Sequence, residues 1–233
     1  MVKIILILFF SGFGYIVFGQ SNPVDSLRED FDKSYGLDVL LNNGRKYFPE
    51  CNPVTGYPFW KSEDSYFADV TIKGKTFSNE KIKYNSYKQE FVLFFTNLNG
   101  QHGQIILNSE AIDSIRIGNV LLIPNRLPDI KQKFIQEIYK GKLILYIGWY
   151  KELQFNRTGV NVGYIYSKDN QVNYLVYNGV VHRFSGRSSF LHIFSGYKRA
   201  LIRKYLTSNH IRFKRLDVNE LKQLLIYCEK TVF

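Results

Sequence analysis

From Lys81 to Ile123, short runs of β-branched and aromatic residues are broken at regular points by Asn, Gly and Ser. This pattern predicts a β-meander of short strands and tight turns. Phe91-Val92-Leu93-Phe94-Phe95 is apolar on both alternating faces and suits a central strand covered on both sides. Ile115-Arg116-Ile117 alternates, so one face of that strand meets water. The pattern continues on either side. Tyr66 to Ile72 predicts a strand that Lys73-Gly74-Lys75 turns back toward Phe77. Phe134 to Tyr139, a turn at Lys140-Gly141-Lys142, and a long aromatic strand from Leu143 to Phe155 follow. After a turn at Asn156-Arg157-Thr158-Gly159 comes Asn161 to Tyr166. Gln171 to Tyr177 and Val180 to Phe184 make a hairpin about Asn178-Gly179, a pair that accepts positive φ. Nearer the start, Val39-Leu40-Leu41 and Arg45 to Phe48 flank Asn42-Asn43-Gly44 and predict another hairpin.

Beyond Phe184 the period changes. Ser188 is placed to cap a helical turn over Ser189 to Phe194. Tyr197 to Thr207 puts Leu201, Ile202, Tyr205 and Leu206 on one helical face. Asp217-Val218-Asn219-Glu220 has capping-box spacing and opens a last amphipathic helix through Glu229. The fold class is therefore mainly β (α+β): an antiparallel meander forming a sandwich or partly open barrel, followed by a C-terminal amphipathic helical pair. The β domain spans 38–184 and the helical segment 185–233.

The first residues read as an address. Met1-Val2-Lys3 is followed by an apolar run to Phe18 and then by polar Gln20-Ser21-Asn22, which predicts a signal peptide over 1–19 cleaved before Gln20. A polar leader over 20–37 follows, with one short helix from Asp25 to Lys33. No later run is long and apolar enough to span a membrane, and the protein is expected to be exported, in the periplasm, at the outer membrane or outside the cell. The terminal Phe233 fits an outer-membrane barrel, but the residues before it keep a helical period.

With 31 Lys+Arg against 20 Asp+Glu the net charge is +11, which invites an anionic envelope polymer or a protein partner. The bases are densest at Lys198, Arg199, Arg203, Lys204, Arg212, Lys214 and Arg215. No nucleic-acid motif accompanies them, so nucleic acid is not an expected partner. Cys51 and Cys228 are the two cysteines. Export permits a disulfide between them, while the helical stripe of Val218, Leu221, Leu225 and Cys228 equally suits a buried free thiol.

LLNNGRKYF, GYPF and IKGKTFSNEKIKYNSYKQEFVL occur in order between Leu40 and Leu93. This succession resembles uncharacterised exported β-rich proteins of Bacteroidota, with an NGR-Y hairpin, a G-PF loop and a strand here written Tyr87-Lys88-Gln89-Glu90-Phe91-Val92-Leu93. The resemblance implies fold and export. It implies no chemistry, because that family has no assigned activity.

Candidate chemistry is sparse. Tyr57, Phe59 and Trp60, in an ordered loop rich in Pro and Gly, could stack on sugar rings or plug one end of the β-core, and the plug is the favoured reading. Arg183 and Arg187, beside a helix start, could hold an anion. His182, Ser188 and His192 form no recognised nucleophile motif. No metal or cofactor motif is present, and no cofactor is expected. The leading expectation is a non-enzymatic envelope or secreted binding or scaffold protein. A secreted hydrolase acting on an envelope polymer, using His182, Ser188 or His192, is the alternative. A third is a subunit that docks through its basic C-terminal helices.

Overall fold

The computed structural model describes residues 38–49, 54–97, 99–157, 162–213 and 217–232. The expected signal peptide over 1–19, the expected polar leader over 20–37 with its short helix, and Cys51 lie outside these residues.

The strands are β1 (Arg45–Lys46), β2 (Val54–Thr55), β3 (Tyr66–Ile72), β4 (Lys75–Asn85), β5 (Glu90–Thr96), β6 (His102–Ile106) and β7 (Ile112–Ile117). They continue with β8 (Val120–Pro124), β9 (Phe134–Lys140), β10 (Ile144–Tyr150), β11 (Leu153–Asn156), β12 (Gly163–Tyr166), β13 (Asn170–Tyr177) and β14 (Val180–Phe184). Helices α1 (Arg187–His192), α2 (Gly196–Ser208) and α3 (Val218–Val232) close the chain. Eleven strands form one antiparallel sheet, ordered β1-β6-β5-β4-β3-β7-β8-β9-β10-β13-β14. A second sheet, β11-β12-β2, has β2 parallel to β12.

The large sheet curls. Phe91 on β5 and Phe134 on β9 stand five places apart in the strand order, roughly 24 Å on a flat sheet at ~4.8 Å per strand. Their rings nevertheless meet edge to face at 4.7 Å. Shifts of register at Ala68/Val70, Thr71/Ile72 and Leu145/Tyr146 supply bends of the kind that drive such curvature. Inside the curl lie Val70, Ile82, Leu93, Ile115 and Leu122, with Tyr84 stacked on Phe91. The sheet does not close, because β1 and β14 stand at opposite ends of the order. The mainly β reading holds, and a partly open barrel describes the curl.

The helices cover the same face of the sheet at its other end. Leu143, Leu145, Leu175 and Phe184 pack against Phe190, Ile202, Leu206, Leu224 and Leu225. Asp217 and Glu220 form the capping box read from the sequence: each backbone N–H donates to the other's carboxylate. Glu229 pins α3 to the sheet by accepting from the Leu143 amide at 2.6 Å and the Tyr139 hydroxyl at 2.9 Å. Gly141 leaves room for it, since a Cβ there would lie 2.4 Å from Glu229 Oε1.

Four local expectations are corrected. Val39 to Leu41 is a turn, not a strand: Asp38 accepts from the Leu40 amide through Oδ1 and from the Asn42 amide through its carbonyl. Gly44 is needed for closeness, because a Cβ would lie 1.9 Å from the Ile106 carbonyl oxygen. The long aromatic strand breaks at Lys151-Glu152, where the chain leaves the large sheet for β11. Tyr87 to Gln89 belong to the β4–β5 turn, and the strand starts at Glu90. Gly186, not Ser188, is the N-cap of α1, and the Ser189 hydroxyl reaches back to accept from the Ser185 and Gly186 amides at 3.1 Å.

No helix among the described residues is long and apolar enough to cross a membrane.

Candidate functional site

The β4–β5 turn organises the neighbourhood. Gln89 holds φ +59°, a left-handed conformation uncommon for a side chain of its kind. Three hydrogen bonds hold it there: Nε2 donates to the carbonyls of Ser86 at 2.7 Å and Trp149 at 2.9 Å, while Oε1 accepts from the Tyr84 hydroxyl at 2.9 Å. Gln89 thus ties the turn to β10 on one side and to the core on the other. Segments far apart in the sequence meet here. Arg45 pairs with Glu90 at 2.5 Å, and the Pro58 carbonyl accepts from the Tyr87 amide at 3.3 Å.

A cleft of about 460 Å³ opens beside this turn. Residues from five segments line it: Ser86, Tyr87 and Gln89; Lys131 and Gln132; Tyr150 and Glu152; Val172 and Tyr174; and Arg183. Tyr174 and Arg183 lie directly opposite one another on β13 and β14. On β10 Gly148 pairs with Val172 and leaves a notch. The Gln132 side chain fills that notch, for a Cβ at Gly148 would meet its Oε1 at 2.6 Å. Tyr174, buried, donates its hydroxyl to Gln132 Oε1 at 3.0 Å. Burial raises the Tyr174 phenol above its ordinary value, against the pull of the Arg183 charge and the Lys131 backbone, so it acts as a neutral donor. Lys131, Arg183 and Glu152 are exposed at the mouth. The Tyr87 ring leans against Tyr166 of the small sheet at 5.3 Å, so the cleft lies where the two sheets join.

Two exposed cations, one carboxylate, the buried Gln132 amide and three tyrosine rings suit an anionic ligand that also carries hydroxyls and an apolar face. They can bind through charge, hydrogen bonds and stacking.

The residues expected from sequence fare differently. Trp60 is 2 % exposed inside the curl, edge-on to Trp149 at 5.8 Å. Phe59 is 7 % exposed on the opposite face of the sheet, against Val92 and Ile106. Lysine ammonium groups lie over all three loop rings: Lys151 over Tyr57 at 4.0 Å, Lys83 over Phe59 at 4.7 Å and Lys61 over Trp60 at 4.3 Å. These aromatics serve as core and as platforms for the chain's own cations. Lys151 is buried, donates to the Tyr57 carbonyl at 3.1 Å, and is pushed below its ordinary value by burial, with Asp169 pulling it back.

Arg183 and Arg187 do not come together as an anion pair. Arg183 lines the cleft, whereas Arg187 donates to the Arg203 carbonyl at 3.3 Å and the Thr207 hydroxyl at 2.6 Å, tying α1 to α2.

Ser188 and His192 sit one turn apart on α1, but His192 Nδ1 lies 2.7 Å from the Ser188 carbonyl and 3.4 Å from its hydroxyl. A nitrogen that donates to a carbonyl has no lone pair with which to take the serine proton. His182 lies opposite Leu175, on the helix-covered face, so it and Arg183 point to opposite sides. Of the basic helical residues, Arg199 donates to the Phe194 carbonyl at 2.6 Å, while Arg203 and Lys204 are exposed.

Cys228 carries a free thiol, fully buried against α3's neighbours, and burial pushes it up to about 12. Its proposed partner Cys51 lies outside the described residues. Among the described residues no group of three or more His, Cys, Asp or Glu is placed to hold a metal.

Sequence reasoning missed Tyr87, Gln89, Lys131, Gln132, Tyr150, Glu152 and Tyr174. The one local signal was Lys151-Glu152, two charges inside an aromatic run. Compared with known proteins, the chain matches no family model, no curated protein and no solved structure.

Proposed function

We propose that the chain is an exported, non-enzymatic envelope protein that binds an anionic envelope polymer in the cleft between its two sheets. The observation that carries this reading is the pairing of exposed Arg183 and Lys131 with tyrosine rings and the buried Gln132 in one cleft. Export rests on the basic start and apolar run of residues 1–19 and agrees with the resemblance to exported Bacteroidota proteins. The overall charge of +11 favours approach of a polyanion, and the cleft gives it a place to be held.

The test is binding of the purified protein to anionic polymers at increasing salt, comparing wild type with Arg183→Glu and Lys131→Glu. Salt-sensitive binding that falls with either substitution supports the reading. Binding that both substitutions leave unchanged moves the site elsewhere.

A further inference from the structure

The cleft does not end at Tyr87. Tyr87 packs on Tyr166 of β12, and Tyr164, two residues earlier, shares that strand face roughly 7 Å away. Opposite Tyr164 stands Phe155 of β11, their rings edge to face at 5.2 Å and each side chain 52 % exposed. Aromatic rings thus run in file from the cationic cleft onto the open face of the small sheet. A large exposed aromatic pair has a cost in water unless something covers it.

The charges decide what covers it. Arg183 and Lys131 call for an anion at the cleft end, yet Glu152 stands among them and repels a ligand with dense charge. The same carboxylate, together with Gln132, suits the hydroxyls of a ligand. The flat faces of Phe155 and Tyr164 carry no cation from the chain among the described contacts, unlike those of Tyr57, Phe59 and Trp60. A ligand with one carboxylate per ring, several hydroxyls and an apolar ring face fits each part.

We infer that the ligand is an acidic polysaccharide of the uronic-acid type, its carboxylate held by Arg183 and Lys131 and its following sugars laid along Tyr87, Tyr164 and Phe155. This inference rests on the binding reading above and narrows it to a ligand class.

The experiment measures calorimetric affinity of the full chain for short and long oligomers of polygalacturonate. The same oligomers with their carboxyls methyl-esterified test charge, and polyphosphate tests charge without rings. Arg183→Ala should weaken both oligomer lengths by roughly tenfold or more. Phe155→Ala with Tyr164→Ala should weaken the long oligomer by about tenfold and leave the short one unchanged. All three side chains are exposed, so the variants should keep the wild-type melting profile, which is recorded alongside. Equal affinity for the esterified oligomers, or a long oligomer indifferent to the aromatic pair, overturns the inference. Polyphosphate binding that depends on Arg183 without oligomer binding overturns it too, but leaves the anion-binding reading standing. Binding of neither removes both.

Discussion

Two sets of aromatic side chains flank the β4–β5 turn and meet opposite fates. Tyr57, Phe59 and Trp60 come from one loop, and the chain has covered them with core contacts or with its own lysines. Tyr87, Tyr150 and Tyr174 come from three distant segments and gather around a cleft where Gln132 is seated over Gly148. The residue types are nearly the same. What separates them is whether the rings line an open cleft or are covered by the core and the chain's own lysines. An aromatic cluster in sequence is therefore a poor guide to a binding platform, and one assembled across strands is a better candidate.

The comparison breaks most readily through stability. Trp60→Ala removes a buried indole from the curl and should cost about 3–5 kcal/mol, seen as a lower urea midpoint. Tyr87→Ala, at the cleft rim, should cost under about 1 kcal/mol by the same measurement. Equal losses would mean that the rim tyrosine belongs to the core. Gln89→Leu comes next. It strips three hydrogen bonds, leaves the buried Tyr84 hydroxyl unpaired and keeps a non-glycine residue at φ +59°. A loss of about 2–3 kcal/mol is expected, with weaker anion binding because the turn shapes the cleft.

Much of the fold was legible because it is written locally. Lys73-Gly74 and Asn178-Gly179 carry positive φ at each residue, as turn chemistry requires, and Asp217 and Glu220 form the box their spacing announced. The errors fall where a distant contact overrides local pattern. Val39 to Leu41 looks like a strand, yet Asp38 gathers it into a turn and Leu41 is drawn into the core. The run from Leu143 to Phe155 carries no Gly or Pro at its break, because what divides it is a change of partner from β13 to β12. The cleft was illegible for the same reason: its residues extend from Ser86 to Arg183, and only the curl of the sheet makes them neighbours.

Alkaline pH sharpens the contrast between covered and open groups. Burial raises the Tyr84 phenol, and it raises the Cys228 thiol from 9.0 to about 12. A group whose folded value lies above its unfolded one contributes stability fully present below the unfolded value and lost as pH climbs toward the folded one. The Cys228 contribution should therefore hold to about pH 9 and then decline by about 1.4 kcal/mol per pH unit, and the Tyr84 contribution should do the same from about pH 10. Cys228→Ala should flatten the decline between pH 9 and 12, as followed by denaturant midpoints. An unchanged slope would mean that the thiol is not buried in solution. Gly148→Ala acts on the open set alone. Its Cβ would displace Gln132 and break that residue's bond from Tyr174, at a cost of about 1 kcal/mol, and should reduce anion binding more than it reduces stability.

The smallest effect is expected at the seam between the two sets, in Lys151→Met. The substitution keeps the aliphatic stem and removes the ammonium that covers the Tyr57 ring and donates to its carbonyl. Loss of the cation–π contact and the hydrogen bond is offset by relief of a buried charge, so the net change near neutral pH should stay within about 1 kcal/mol. The pH dependence is the more telling readout, because its sign is opposite to that of Cys228. The Lys151 value is lowered by burial, so the folded state binds fewer protons than the unfolded state as pH approaches 10.5. In that range wild type should gain stability relative to Lys151→Met as pH rises. A difference that stays flat up to pH 10.5 would place the Lys151 ammonium in water. The Tyr57 ring would then be open, and the line drawn between covered and open aromatics would have to move to include it.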